Sequence, residues 1–209
     1  MKITVIGTGN MGSAFTTQLS SAGHSVRVTG RDISKAQALA DQYLNVSAHA
    51  ASQALGDSDV IVVATAFEDA TAALQSLGDL TGKVVIDITN PLSADYMSLT
   101  VGHVTSASEE IAKAVPQAHV VKAFNTLFAQ VLADGPKFAN DQTGSVFVAS
   151  DSERAKQTAI ALARSLGWNT VDAGGLVNAR YLEPLAGLNI YLGYGAGLGT
   201  SVAPVWLSK

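Results

Sequence analysis

Ile3-Thr4-Val5-Ile6-Gly7-Thr8-Gly9-Asn10-Met11-Gly12 reads as a buried strand that runs straight into G-x-G-x-x-G. A glycine-rich turn alone carries little information. Its setting carries more: an apolar strand precedes it, a helical stretch from Ser13 to Ser21 follows, and a second strand-like run, Ser25 to Thr29, comes next. In that setting each glycine has its own task. Gly7 permits the tight turn, Gly9 lets a pyrophosphate approach the backbone, and Gly12 lets the helix pack close to the strand. The phosphates are expected on the free N–H groups and positive end of that helix.

Working outward, strand-like runs recur at Val60–Ala64, Val84–Ile88, His119–Phe124, Ser145–Ala149 and Asn169–Val171. Helical patterns fall between them. Ala36, Leu39, Ala40 and Tyr43 keep a spacing of three or four, as do Ala70, Ala73, Leu74 and Leu77. Ser106 with Glu109 reads as a capping box opening a helix through Ala114, and Asp151-Ser152-Glu153-Arg154 begins another that ends near Gly167. Alternation of this kind predicts right-handed βαβ units. The expected fold class is α/β: a doubly wound Rossmann-type parallel sheet, extended by further strands and a short C-terminal helical segment. Residues 1–209 are expected to form one domain. Within it, 175–209 would be a helix and glycine-rich tail packing on the rest or on a second subunit.

Composition narrows the function. Of 209 residues, 47% are hydrophobic and only 14% charged, against a usual charged share of about 25%. A sheet covered on both faces needs continuous apolar strands, and a subunit interface would hide more surface. The balance of 13 basic against 17 acidic residues gives −4, so no attraction to nucleic acid is expected. The absence of cysteine excludes disulfides, thiol nucleophiles and thiolate metal sites. His24, His49, His103 and His119 show no ligand spacing, so no metal is expected. The first strand starts at residue 3 and no apolar run reaches bilayer length, so the expectation is a cytoplasmic protein without a membrane partner.

In open α/β sheets ligands gather at the carboxyl ends of the strands, near the topological switch. Those ends here are the glycine turn, Thr29-Gly30-Arg31, Thr65-Ala66-Phe67, Thr89-Asn90-Pro91 and Asn125-Thr126. They are small, neutral and hydrogen-bonding. Nothing resembles a nucleophile with its base or a carboxylate pair, and no catalytic residue is assigned.

The end of the second strand decides the cofactor. An NAD site wants an acid about 20 residues past the glycines. Asp32 has about that spacing, but the strand stops at Thr29. Asp32 therefore falls beyond the tip, where a helix N-cap belongs. Thr29 and Gly30 take the acid's place, and Arg31 and Lys35 offer two cations suited to a 2′-phosphate. The reading is NADP (NADPH).

The chain resembles the NADP-dependent coenzyme F-420 oxidoreductases and their bacterial dinucleotide-binding relatives, a group that includes the cytosolic domain of the six-transmembrane metalloreductases. The resemblance runs from Ile3 to about Leu207. It rests on Gly7 through Gly12, Arg31 with Lys35, and Asp172-Ala173-Gly174 followed by Asn178-Ala179-Arg180. It implies that Thr8, Asn10 and Met11 line the pyrophosphate turn and that Gly30, Arg31 and Lys35 surround the 2′-phosphate. Gly30 stands where the family often has serine. Asn125 aligns with a histidine of the deazaflavin-using members, and is closer to the metalloreductase-like relatives, whose acceptor is a flavin.

Few residues remain after about residue 172, so the substrate is expected to meet the nicotinamide on a mostly open face, closed by loops or a second subunit. A planar flavin or deazaflavin co-substrate can stack there, with Asn125 near the nicotinamide carboxamide or the acceptor ring. Hydride transfer between two such rings is the cofactors' own chemistry and needs no protein acid. The leading expectation is an oxidoreductase exchanging hydride between NADPH and a flavin-like small acceptor. The alternatives are a reductase of a small carbonyl or imine, with Thr126 or Tyr194 as proton donor, and a non-catalytic NADP sensor.

Two other segments carry expectations. Thr126 to Gly144 reads as a long connection, a lid or interface against a passive loop. Arg180 and Glu183 lie one helical turn apart, as an ion pair or an anion site. The apolar run Leu185, Leu188, Ile190, Tyr191 and Leu192 suggests a helix buried by a second copy, hence a homodimer.

Overall fold

The computed structural model describes residues 1–207, with the backbone alone at residue 140; residues 208 and 209 of the expected tail lie outside the described residues. The first half runs β1 (Lys2–Ile6), α1 (Asn10–Ser21), β2 (Ser25–Thr29), α2 (Ile33–Ala40), β3 (Val46–Ala48), α3 (Ala51–Ala54), β4 (Val60–Val63), α4 (Phe67–Gln75) and β5 (Val84–Asp87). The second half runs α5 (Ala107–Ala114), β6 (His119–Ala123), α6 (Ala129–Asp134), β7 (Ser145–Ala149), α7 (Glu153–Ser165), β8 (Asn169–Asp172) and α8 (Ala179–Ile190). A single π-helical turn, Tyr191–Gly195, continues α8.

The eight strands of the described residues form one sheet in the order β3-β2-β1-β4-β5-β6-β7-β8. The reversal of order between β1 and β4 is the Rossmann switch point, and the glycine turn sits on it. Strands β1 to β6 are parallel, as expected. The last two differ: β7 pairs antiparallel with β6 through Lys122–Ala149 and Ala123–Val148, and β8 follows β7. The chain between β6 and β7 therefore starts and finishes at the same end of the sheet, which needs no crossover. That chain is not the long loop expected for Thr126 to Gly144. It carries α6, packed on α1, with Gln18 Nε2 donating to the Ala133 carbonyl at 2.8 Å.

The central strands are apolar on both sides because helices cover both faces. Ile3, Val5, Val60, Val62 and Ile86 pack with Phe15 and Leu19 of α1 and Leu162 of α7. Ile6, Ile61, Val63 and Val85 pack with Leu74 of α4 and Ile111 of α5 on the other face. Each such side chain contributes about 1.5–3 kcal/mol on burial, so the sheet is a rigid base for the strand ends. The caps follow local chemistry. Asp32 Oδ1 accepts from the Ser34 and Lys35 N–H groups at 2.9 and 3.4 Å, so it serves α2 as an N-cap. Ser106 caps α5 by accepting from the Glu109 N–H at 3.2 Å, and Ser152 caps α7 by accepting from the Ala155 N–H at 3.3 Å. The box at α5 is only half formed. Glu109 turns its carboxylate to the Ser106 hydroxyl at 2.8 Å and to Arg180, instead of to the Ser106 N–H.

Candidate functional site

Two of the three fingerprint glycines are fixed by the fold itself. Gly7 has φ +119°, and a Cβ there would fall on the Ala64 carbonyl; one on Gly12 would fall on the Gly7 carbonyl. Neither position admits a side chain. Gly9 is different. It is exposed, and a Cβ there would meet nothing within 4 Å. Its bareness keeps open the space in front of α1, whose N-terminus has no side-chain cap and no acid in its first turn. The turn is tied to β2 by the Gly7 N–H donating to the Thr29 carbonyl at 2.8 Å.

Beside that turn lies Gly30, whose missing Cβ would sit 3.4 Å from Thr8 Cγ2 and 3.5 Å from its hydroxyl oxygen. Thr8 and Gly30 thus form one corner. Arg31 follows with a side chain 91% exposed, and its Nη1 lies 3.4 Å from Asp69 of α4. Lys35, in the first turn of α2, is also exposed. Arg31 and Asp69 face each other from the two sides of the switch point, β2 and β4.

The ends of β4, β5 and β6 open into a groove of about 1020 Å³. Gly9, Asn10, Met11, Thr65, Ala66, Phe67, Asn90 and Asn125 line it. Pro91 does not. It is buried at the base of the neighbouring loop, where its carbonyl accepts from the Thr100 N–H at 2.7 Å. That loop presents Leu92 to Met97 to the groove, with Tyr96 held at φ +62°. The far wall is Ala186, Asn189, Ile190 and Tyr194 from α8 and its π turn.

The floor has a specific chemical character. Phe124 leaves β6 at φ +58°, a conformation costly for a bulky residue. It is held there fully buried, its ring edge-on to Phe15 at 4.9 Å. The turn delivers Asn125, also buried, between β5 and α8. Asn125 Nδ2 donates to Asn90 Oδ1 at 3.0 Å and to the Leu182 carbonyl at 2.9 Å, while Asn90 Nδ2 donates back to the Asn125 carbonyl at 2.8 Å. Both amide hydrogens are used, and Asn125 Oδ1 has no partner among the described residues. The hydroxyls of Thr89 and Thr126, which also line the groove, have none either. Buried polar atoms are normally satisfied. Three unsatisfied ones, an acceptor and two hydroxyls, lie together just beneath one floor.

Beneath the floor lies a charge cluster that the sequence reading missed. Lys122 is completely buried in β6. Its Nζ donates to Asp87 Oδ2 at 2.8 Å, to the Thr89 carbonyl at 2.7 Å and lies 2.8 Å from Glu183 Oε1. Glu183 also accepts from the Ala107 and Ser108 N–H groups at 2.9 and 3.2 Å, closing the start of α5. The signal was available: a lone lysine and a lone aspartate inside otherwise apolar strands require partners. Arg180 and Glu183 do not pair with each other, contrary to expectation, nor do they form an anion site. Arg180 instead grips Glu109 through Nε and Nη2, at 2.9 and 2.7 Å. Those bonds hold the Glu109 carboxyl below the usual carboxylate range, with Ser106 assisting and burial opposing.

The family described as NADP oxidoreductase, coenzyme F420-dependent, matches residues 2–91. The crystal structure of an Arthrobacter sp. FB24 protein assigned as an F420-dependent NADP-reductase is 31% identical, with a TM-score of 0.87 over 96% of this chain and 96% of that one. Metalloreductase STEAP3 of Rattus norvegicus is 32% identical over 185 residues, 88% of this chain. The chain spans 36% of the length of that curated relative. A reductive aminase from Aspergillus terreus shares the fold at 18% identity and a TM-score of 0.67, over 94% of this chain and 62% of that one.

Proposed function

The chain belongs to the coenzyme F420-dependent NADP oxidoreductase family, and from that premise we propose that it passes hydride between NADPH and a flavin-like ring held in the groove. The observation that carries the reading is the floor: Asn125 Oδ1 and the Thr89 and Thr126 hydroxyls, buried and unpartnered beside the glycine turn. An amide oxygen accepts and a hydroxyl can donate, so together, once a small side-chain movement uncovers them, they suit a carboxamide such as that of nicotinamide. The residues fit the dinucleotide elsewhere too. Gly9 leaves room for a pyrophosphate at α1. Arg31 and Lys35, near the Thr8–Gly30 corner, suit a 2′-phosphate.

When bound, the nicotinamide supplies the hydride chemistry. The chain's own part is to orient and enclose. Among the described residues lining the groove, the ionisable groups are Glu68, Asp95, Tyr96 and Tyr194, all exposed, and none lies on the floor. The overall change balances without a protein acid: NADPH, a proton from solvent and the oxidised ring give NADP⁺ and the reduced ring. Reduction of a small carbonyl or imine is the second reading, supported by the free Thr126 hydroxyl in the floor. NADPH oxidation in the presence of riboflavin, FMN or FAD, set against small ketones and imines, separates the two. Turnover with flavins alone supports the first reading, and turnover with carbonyls alone the second.

We also propose that a second copy covers α8. Tyr181, Leu188 and Tyr191 form a stripe at helical spacing, each more than half exposed. Leu188→Asp should convert a dimer to a monomer in sedimentation. A cytoplasmic location goes with the use of NADPH.

A further inference from the structure

The groove is as distinctive in charge as in shape. Among the described residues that line it there is no lysine, arginine or histidine. Its two full charges are both negative, Glu68 and Asp95, and both are exposed at its mouth. Asp95 is fixed in its loop, accepting from the Ser93 hydroxyl at 2.6 Å and the Met97 N–H at 3.0 Å. The positive end of α4 opens on the groove at Ala66, but its first turn carries Glu68 and Asp69, which offset it. The nearest buried cation, Lys122, is occupied by Asp87 and Glu183. The exposed cations Arg31 and Lys35 lie outside the groove, at the β2 end of the site.

The two halves of the site therefore differ. The β2 end offers side-chain cations to a phosphate; the groove beyond the glycine turn offers none. Its rim offers uncharged aromatic surface, with Tyr96 from the loop and Tyr194 from the π turn, the latter edge-on to Phe128 at 5.6 Å. We propose that the acceptor meeting the nicotinamide here is an electroneutral planar ring, a phosphate-free flavin of the riboflavin type, and that Glu68 and Asp95 discriminate against acceptors with an anionic tail. The inference rests on the hydride-transfer reading above and adds the acceptor's charge. The ring gains two electrons and one proton as hydride from NADPH, and a second proton from solvent.

The test uses two matched acceptor pairs with the full-length protein and NADPH: riboflavin against FMN, and menadione against its sulfonate. Two carboxylates within about a Debye length should favour the neutral member by about three- to tenfold in kcat/KM, a gap that narrows in high salt. Ala94 lines the groove and is exposed, so Ala94→Lys adds a cation there without removing a contact. It should raise the FMN-to-riboflavin ratio of kcat/KM several-fold, with folding checked by circular dichroism. A preference for the charged member of either pair, or a ratio that Ala94→Lys leaves unmoved, overturns the inference while the hydride-transfer reading stands. Menadione preferred over its sulfonate, with no flavin turned over, supports the charge rule and removes the flavin. No turnover of any of the four overturns both.

Discussion

Lys122 and Glu183 come from distant parts of the chain, β6 and α8, yet their charged atoms lie 2.8 Å apart and sealed from solvent. Asp87 from β5 completes the cluster. It joins the second half of the protein to the floor of the groove, because the same lysine holds the Thr89 carbonyl. Removing the cation would leave two buried carboxylates facing each other. Lys122→Met should lower the unfolding free energy by about 3–5 kcal/mol, measured by urea denaturation. Adding Glu183→Leu to that variant should recover part of the loss. A change below about 1 kcal/mol for Lys122→Met would mean that the cluster does not hold the floor together.

The phosphate end makes a sharper demand on one residue. Arg31→Ala should weaken NADPH binding about tenfold to a hundredfold, the range for a hydrogen bond to a charged group, and barely alter NADH. Gly30→Ser works in the opposite direction. The new Cβ would make ordinary contact with Thr8, and its hydroxyl would add a donor at the corner. NADPH should bind about three- to tenfold tighter, a net gain of about one hydrogen bond. Calorimetry with both cofactors checks each change. Equal losses for NADPH and NADH in Arg31→Ala would show that Arg31 serves the fold or the pyrophosphate.

Gly9→Val tests the turn itself. The space beyond Gly9 is empty, so the variant should fold normally while losing both cofactors. Intact dinucleotide binding in that variant would place the ligand elsewhere.

Asn125 cannot shuttle a proton at neutral pH. Asn125→Ala should slow hydride transfer, leave its pH profile flat between about pH 6 and 8 and keep NADPH binding near normal, since the cofactor is held mainly at its phosphates. Asn125→His should introduce a pH dependence. Complete loss of activity in the alanine variant, with binding retained, would require a proton-transfer role that this floor does not provide.

Acid tests the Arg180–Glu109 pair. The Glu109 carboxyl titrates lower in the folded protein than in the unfolded chain. Its contribution is therefore present above the unfolded value of about 4.3 and lost as pH falls through the depressed folded value. Glu109→Gln should be less stable than wild type at pH 7, and the two stabilities should converge as the pH falls below 4. Parallel curves would show that the pair contributes nothing through its charge.

What the sequence displayed depended on distance along the chain. The glycine turn, the caps at Asp32 and Ser106 and the helix start at Asp151-Ser152-Glu153-Arg154 are set by consecutive residues, and all could be read. The strand ends follow the same local logic, and Thr65, Ala66, Phe67, Asn90 and Asn125 lie along one groove, with Asn125 buried and bonded to Asn90. The short edge strand β3, only half-buried, has no strong pattern and was missed. The reversal of β7, the packing of α6 on α1 and the partners of Lys122, Glu183 and Arg180 depend on residues far apart in sequence. Spacing within one helix pointed Arg180 at Glu183, whereas the fold brought each a partner from elsewhere.

The central claim is tested most directly by stopped-flow oxidation of NADPH deuterated at one or the other face of C4, with riboflavin as acceptor and the non-enzymatic rate subtracted. The account predicts enzyme-dependent reduction of riboflavin, slowed by deuterium on one face only, as expected when the nicotinamide is held in a single orientation over the floor of Thr89, Asn125 and Thr126. Oxidation that ignores the label, or that proceeds only with a carbonyl or imine, would contradict it.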